Sequence, residues 1–269
     1  MQDSLATSVN PTVLVFDSGL GGLTVLREIS ALRRNLKLVY AADDAVFPYG
    51  RLEDDALIAR VSSVMDELIA RYRPALAVIA CNTASTLTLP VLRAKHAIPF
   101  VGTVPAIKPA CAQSKTKRIS VLATPGTVKR DYTRALIEEF ASDCVVDLVG
   151  SPWLAPLAEA HLRGEGATDE EIAKEIAPAF RDDGAKTDTV VLACTHYPLL
   201  LERFKALAPW PVAWIDPAAA IARRVASLLP PQGQPAKGPV SAYFTSGKAP
   251  GPALAAALQS FGIEPVTAI

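Results

Sequence analysis

An α/β fold of two similar halves, each built on a mainly parallel sheet, is predicted from three observations. Short apolar runs alternate with longer amphipathic ones. The unusual polar residues fall at the ends of the apolar runs, and one of those ends returns 113 residues later. Continuous apolar strands separated by helices signify a parallel sheet covered on both faces. In such sheets ligands collect beyond the carboxyl ends of the strands, so a site in the cleft between the halves is expected.

The elements follow in order. Thr12–Phe16 (TVLVF) is β-branched and apolar and stops at Asp17-Ser18-Gly19. Leu23–Arg34 carries Leu23, Leu26, Ile29 and Leu32 at helical spacing. Leu36–Ala41 reads as a second strand, and a loop with Asp43, Asp44 and Phe47-Pro48-Tyr49-Gly50 comes next. Asp54–Tyr72 gives the clearest helix, with Leu57, Ile58, Val61, Met65, Leu68, Ile69 and Tyr72 on one stripe that Pro74 ends. Ala75–Ala80 is a buried strand leading into Cys81. Ile119–Ala123, Val145–Val149 and Thr189–Ala193 repeat the pattern, and Pro230–Pro239 is a surface loop before a strand at Val240–Thr245. Val78–Thr83 (VIACNT) is echoed by Val191–His196 (VLACTH), and Asp17-Ser18-Gly19 by Thr124-Pro125-Gly126, 107 residues on. Two echoes at nearly equal offset point to duplicated halves facing one another.

Composition narrows the class. The chain has 269 residues, half of them apolar, with 27 basic and 27 acidic side chains and zero formal charge. That balance argues against nucleic acid or an anionic membrane as the main partner; Arg33-Arg34 and Lys115–Arg118 read as solvated surface. Met1–Asn10 lacks the basic and apolar regions of a signal peptide, and no apolar run nears the about 18 residues of a membrane span. A cytoplasmic setting with reduced thiols is expected. Four cysteines are too few for a disulfide scaffold, so each is judged singly.

Cys81 and Cys194 each follow a buried strand and precede small polar residues, which presents a thiol at a pocket. Cys111 and Cys144 have no such setting and read as ordinary packing. A thiol, with a reference pKa of about 8.5, serves as base or acid at modest cost near neutral pH. Inverting one carbon needs a base and an acid on opposite faces, and two equivalent thiols from two similar halves suit that task. Asp17 and Ser18 are placed to orient a thiol or hold an ammonium, and His196 to carry a proton. Asn82, Thr83 and Thr195 offer neutral donors to a carboxylate, and the N–H groups of Ser18–Gly22 at a helix start offer an anion grip. Competing motifs are weaker. Gly19-Leu20-Gly21-Gly22 lacks the last glycine of a dinucleotide fingerprint, and no phosphate-binding P-loop is present. Cys194 and His196 are the only close pair of zinc-ligand type. They are also too near in sequence for an ordinary nucleophile–base pair, while His96 and His161 read as surface or helix residues.

Several segments together resemble the glutamate racemases of the aspartate/glutamate racemase superfamily. They are Val15–Val25, Pro48-Tyr49-Gly50, Ala80–Ser85, Leu122–Thr127 and Ala193–Leu200, in the family's order. The Cys-Asn-Thr and Cys-Thr-His-Tyr-Pro pair is the most specific. The resemblance implies two flavodoxin-like domains, 1–101 with 212–269 and 102–211, and interconversion of L- and D-glutamate for peptidoglycan without cofactor or metal. It implies Cys81 as base toward D-glutamate and Cys194 toward L-glutamate, with Asp17, His196 and Glu159 assisting. Ser18, Pro48, Tyr49, Gly50, Asn82, Thr83, Thr124 and Thr195, together with Asp17 and His196, would line the substrate. A homodimer is implied as well. Two departures stand out: Ser151-Pro152-Trp153 where relatives often carry Cys-Pro, and Val46 where a basic residue is usual. An aspartate racemase or a cofactor-free decarboxylase remains open within the superfamily, although a decarboxylase typically keeps one of the two thiols. A non-catalytic ligand-binding α/β module would explain the fold but not the paired strand-end cysteines.

Overall fold

The computed structural model describes residues 10–231, 233–236 and 238–264. The reading of the N-terminus as no signal peptide concerns residues 1–9, which lie outside them; so do two positions of the Pro230–Pro239 loop. The first half runs β1 (Thr12–Asp17), α1 (Leu23–Leu32), β2 (Lys37–Ala42), α2 (Asp54–Tyr72), β3 (Leu76–Ile79), α3 (Asn82–Lys95) and β4 (Phe100–Gly102). The second runs α4 (Ile107–Gln113), β5 (Arg118–Ala123), α5 (Pro125–Lys129), α6 (Asp131–Phe140), β6 (Val145–Gly150), α7 (Leu154–Arg163), α8 (Asp169–Ile176), β7 (Thr189–Ala193), α9 (Leu201–Leu207) and β8 (Ala213–Ile215). The chain then returns to the first half with α10 (Ala218–Leu228), β9 (Ser241–Phe244) and α11 (Pro252–Ser260).

All strand pairs in the two sheets are parallel. The orders are β4-β3-β1-β2-β9 and β6-β5-β7-β8. Without the added edge strand β9, both sheets follow one rule: the second strand lies outside the first, and the third and fourth lie on its other side. The halves are therefore topologically equivalent and flavodoxin-like, and each has a switch point between its first and third strands.

Strand alternation puts one residue set on each face. Val13 and Val15 of β1 join a core with α1, α10 and α11, whereas Leu14 and Phe16 join one with α2 and α3. In the second sheet, Val190 and Leu192 face α7, α8 and α9, while Val191 and Ala193 face α4 and α6. These strands are buried on both faces, which is why they read as unbroken apolar runs.

Sheet membership departs from both expected boundaries. β8 at 213–215 lies in the stretch assigned to the first domain, yet it pairs with β7. Gly102 pairs with Ile79 in the first sheet. The second crossing thus falls between Ile215 and Ala218, because a three-residue strand next to Pro211 and Pro217 carries too little periodic signal to be read as sheet.

Candidate active site

Asp17 ends β1 and Cys81 follows β3; Ala123 ends β5 with Thr124 next, and Cys194 follows β7. These are the two switch points, and they face each other. Ser18, Pro48, Tyr49, Gly50, Cys81, Asn82, Thr83, Thr124, Cys194, Thr195 and His196 line one cavity of about 20 Å³, joined by Phe47 and Ala155. Both strand-end thiols therefore open on the same space from opposite domains. Cys111 and Cys144 lie elsewhere, close to each other, with the Cys144 Sγ 3.9 Å from the Cys111 carbonyl.

Around Cys194 the polar groups form a chain. His196 Nδ1 is 3.9 Å from the Cys194 Sγ, and Nε2 is 3.0 Å from Glu159 Oε1. Arg163 donates to the other Glu159 oxygen at 3.1 Å. Burial opposes charge on His196, but Cys194, Glu159 and Asp17 outweigh it and hold its pKa well above the ordinary value. Burial likewise opposes charge on Glu159, yet His196, the Leu20 N–H and Arg163 bring its pKa below the ordinary range. The chain turns sharply at Thr195-His196 after β7, and this brings imidazole and thiol within 3.9 Å although only one residue separates them.

Cys81 sits at the N-cap of α3. Burial, then the nearby Asp17 carboxylate, pushes its thiol up to about 12. The Ala84 N–H and the Ser18 hydroxyl, 3.6 Å from the sulfur, offset this only in part. Asp17 does not line the cavity. It is fully buried behind it, accepting from Thr195 Oγ1 at 3.0 Å and from the Gly19 N–H at 3.3 Å. Burial raises its pKa despite these donors. Glu159 is also set back, behind His196.

The glycine-rich turn grips an anion, but that anion is the protein's own. The Leu20 N–H donates to Glu159 Oε1 at 2.7 Å, and Gly21 N lies 3.3 Å from His196 Nε2. A Cβ on Gly21 would stand 2.5 Å from His196 Nδ1, and one on Gly19 would stand 2.2 Å from Glu159 Oε1. Only glycine allows this approach of one domain to the other.

Four features escaped the sequence reading. Phe47 packs its ring 5.2 Å from that of His196; its place beside Pro48-Tyr49-Gly50 was the available signal. Asp43, at the end of β2, accepts from Tyr49, Arg60 and Thr245 and so anchors the Pro48–Gly50 wall. Thr127 joins Thr83 and Thr124 in a hydroxyl cluster. Ala155 opens α7 and carries no sequence signal. Ser151 accepts the Leu154 N–H at 3.0 Å at the start of α7, which carries Glu159. Trp153 is exposed, with the Arg51 guanidinium 5.7 Å from its ring centre.

The Asn82 amide supplies the most direct pointer to a ligand. Its nitrogen and oxygen are buried at the cavity without a hydrogen-bond partner. Such atoms cost free energy unless a bound polar molecule or water satisfies them. Among the described residues, no group of three or more His, Cys, Asp or Glu is arranged to hold a metal ion.

Comparison with known proteins agrees with this geometry. The family model described as Asp/Glu/Hydantoin racemase matches residues 24–225. The chain belongs to this racemase family. A glutamate racemase of Brucella canis is 54% identical over 257 residues, covering 94% of this chain and 92% of the relative. One of Brucella anthropi is 59% identical over 222 residues, covering 82% and 80%. The crystal structure of Escherichia coli glutamate racemase, in complex with L-glutamate and the activator UDP-MurNAc-ala, superposes with a TM-score of 0.88. It is 42% identical, covering 95% of this chain and 96% of that one. The racemase from Aquifex pyrophilus gives a TM-score of 0.70 at 30% identity. The chain is thus an α/β racemase with the two-domain fold of these structures, and no described helix is long and apolar enough to cross a membrane.

Proposed function

We propose that this racemase interconverts L- and D-glutamate with two thiols and no cofactor, supplying D-glutamate for peptidoglycan. The observation that carries the reading is the pair Cys81 and Cys194, which lie on equivalent strand ends and open on one cavity from opposite domains. Asn82, Thr83 and Thr195 receive the α-carboxylate; Ser18 with Tyr49, Gly50 and Thr124 holds the rest of the substrate. Starting from L-glutamate, Cys194 removes the α-proton while His196, tied to Glu159, stabilises the charge around that sulfur. Cys81 keeps its own proton at neutral pH, since burial holds the thiol up to about 12, and delivers it to the opposite face. The enzyme is left with a thiol at Cys194 and a thiolate at Cys81, the state that acts on D-glutamate. Bases and acids positioned in this way contribute roughly 10²–10⁴-fold each.

The test is solvent deuterium uptake at Cα of L-glutamate by metal-free, pyridoxal-free protein, with product configuration followed by circular dichroism. Cys81→Ala and Cys194→Ala should each lower net racemisation ~10²–10⁴-fold. Either variant retaining full activity would reject the two-thiol scheme, and no exchange by folded wild-type protein would reject the glutamate reading. Rescue of a D-glutamate auxotroph checks the cell-wall role. The reading carries with it a cytoplasmic homodimer, and light scattering of the purified chain checks the dimer.

A further inference from the structure

The cavity between the thiols, at about 20 Å³, holds little more than a water. Glutamate has ten non-hydrogen atoms, so the domains must part to admit it and close again to bring both thiols to bear. Closure is held by polar contacts along two seams. On the Cys194 side they are Thr195 to Asp17 and the Leu20 N–H to Glu159. On the Cys81 side, Thr83 meets Thr124 and Thr127, and one charged side chain dominates: Arg130, between α5 and α6 of the second domain.

Arg130 crosses to three groups of the first domain. Nη1 donates to the Thr83 carbonyl at 2.8 Å and to the Thr86 hydroxyl at 2.7 Å, and Nη2 donates to Asp54 Oδ1 at 3.1 Å. Thr83 and Thr86 lie among the first five residues of α3, whose N-cap is Cys81, and Asp54 starts α2. The Arg130 side chain is 11% exposed, although that of Asp54 is 63% exposed. The arginine is therefore spent on the α3 backbone as much as on an ion pair. Its planar fork meets acceptors on two helices together, which an ammonium cannot do. Five residues, α5, separate Arg130 from Thr124, so the same short segment carries both a cavity wall and the latch.

We propose that Arg130 is the closure latch of the Cys81 seam, a positioning residue that seats the first turn of α3, and with it the Cys81 thiol, against the second domain. The racemase reading enters only in what closure is for. The latch itself is a statement about domain contact.

Two readouts test it on Arg130→Ala and Arg130→Lys, with thermal melting as the fold control. The first is the rate at which iodoacetamide alkylates each cysteine of the ligand-free protein, assigned by peptide mass spectrometry. Losing charge-assisted contacts of this kind should speed Cys81 alkylation about tenfold or more in Arg130→Ala. Cys111, buried in the second domain's own core, should stay at the wild-type rate. The second readout is kcat and KM in both directions: kcat should fall about tenfold and KM should rise, with Lys intermediate because it keeps charge but not the fork. An unchanged Cys81 rate overturns the latch, and so does equal acceleration at Cys111, which would signal general loosening. If Arg130→Ala does not fold, Asp54→Ala combined with Thr86→Val removes two of the three acceptors and should move Cys81 the same way by a smaller factor; no change there overturns the proposal. Faster Cys81 alkylation alongside a wild-type protein inactive on glutamate would leave the latch standing and sink the glutamate reading.

Discussion

At the scale of single residues, the two cavity thiols are not alike. Cys194 has an imidazole at its sulfur, whereas Cys81 has a hydroxyl and a buried carboxylate in its neighbourhood. In the proposed mechanism His196 steadies the charge on the Cys194 sulfur, and Glu159 is one of the groups that raise its pKa. Its sign can be followed through. A histidine with a raised folded pKa contributes stability that is complete below its ordinary value of about 6.5 and is lost as pH rises through the folded value. Glu159, with a lowered pKa, contributes stability present above about 4.3 and lost as pH falls through its folded value. The pair therefore supports the fold between mildly acidic pH and the raised titration of His196. In Glu159→Gln the His196 pKa should drop, moving the alkaline limb of the pH–rate profile for L-glutamate to lower pH; each unit represents ~1.4 kcal/mol. An unshifted profile would remove Glu159 from the relay. The strand-end thiols and His196 were legible in the sequence because each follows an unmistakable apolar run. The contact of His196 with Cys194 was not, since it depends on the turn taken at Thr195.

At the scale of elements, the loop between β1 and α1 is the joint on which both domains meet. The sequence showed a glycine-rich helix start and suggested an anion grip. Only the folded chain shows that Glu159 fills it from α7, 139 residues away. Gly21→Ala should push this loop off the Thr195-His196 turn, since the new Cβ would stand 2.5 Å from the imidazole and 2.6 Å from the His196 backbone nitrogen. Overpacking of that kind costs about 1–3 kcal/mol. Here the domains can part to relieve it, so activity should fall by more than tenfold while the melting temperature moves by only a few degrees. A large melting shift with kcat intact would show that the glycine serves the first domain's own fold.

At the scale of the whole molecule, a substrate held as proposed would bridge the two domains, which links ligand binding thermodynamically to the fold. A ligand at one hundred times its Kd stabilises the native state by about 2.7 kcal/mol. In a protein of this size that corresponds to roughly 5 °C in Tm. D- and L-glutamate should both raise the Tm by about that much, and L-aspartate, one methylene shorter, should do so less because it cannot span the cavity from Cys81-Asn82-Thr83 to Tyr49-Gly50. An equal response to aspartate would redirect the reading toward the aspartate racemases of the superfamily.

The sequence by itself determined the parallel α/β class, the duplicated halves, the two thiols and the strand-end residues Ser18, Asn82, Thr83, Thr195 and His196 of the cavity, whereas Pro48, Tyr49, Gly50 and Thr124 came from the family resemblance. The reason is local: burial on both faces writes unbroken apolar runs, and a chain leaving such a run must place its next polar residue at the sheet's carboxyl edge. What only the tertiary structure decided is which positions far apart in sequence come together. The Glu159–His196–Cys194 chain, the seat of Asp17 beneath Thr195, the Arg130 contacts and the membership of β8 in the second sheet join positions far apart in sequence. No periodicity records such pairings, because each is set by how finished elements pack: within the second domain for Glu159–His196–Cys194 and β8, and between the domains for Asp17–Thr195 and Arg130.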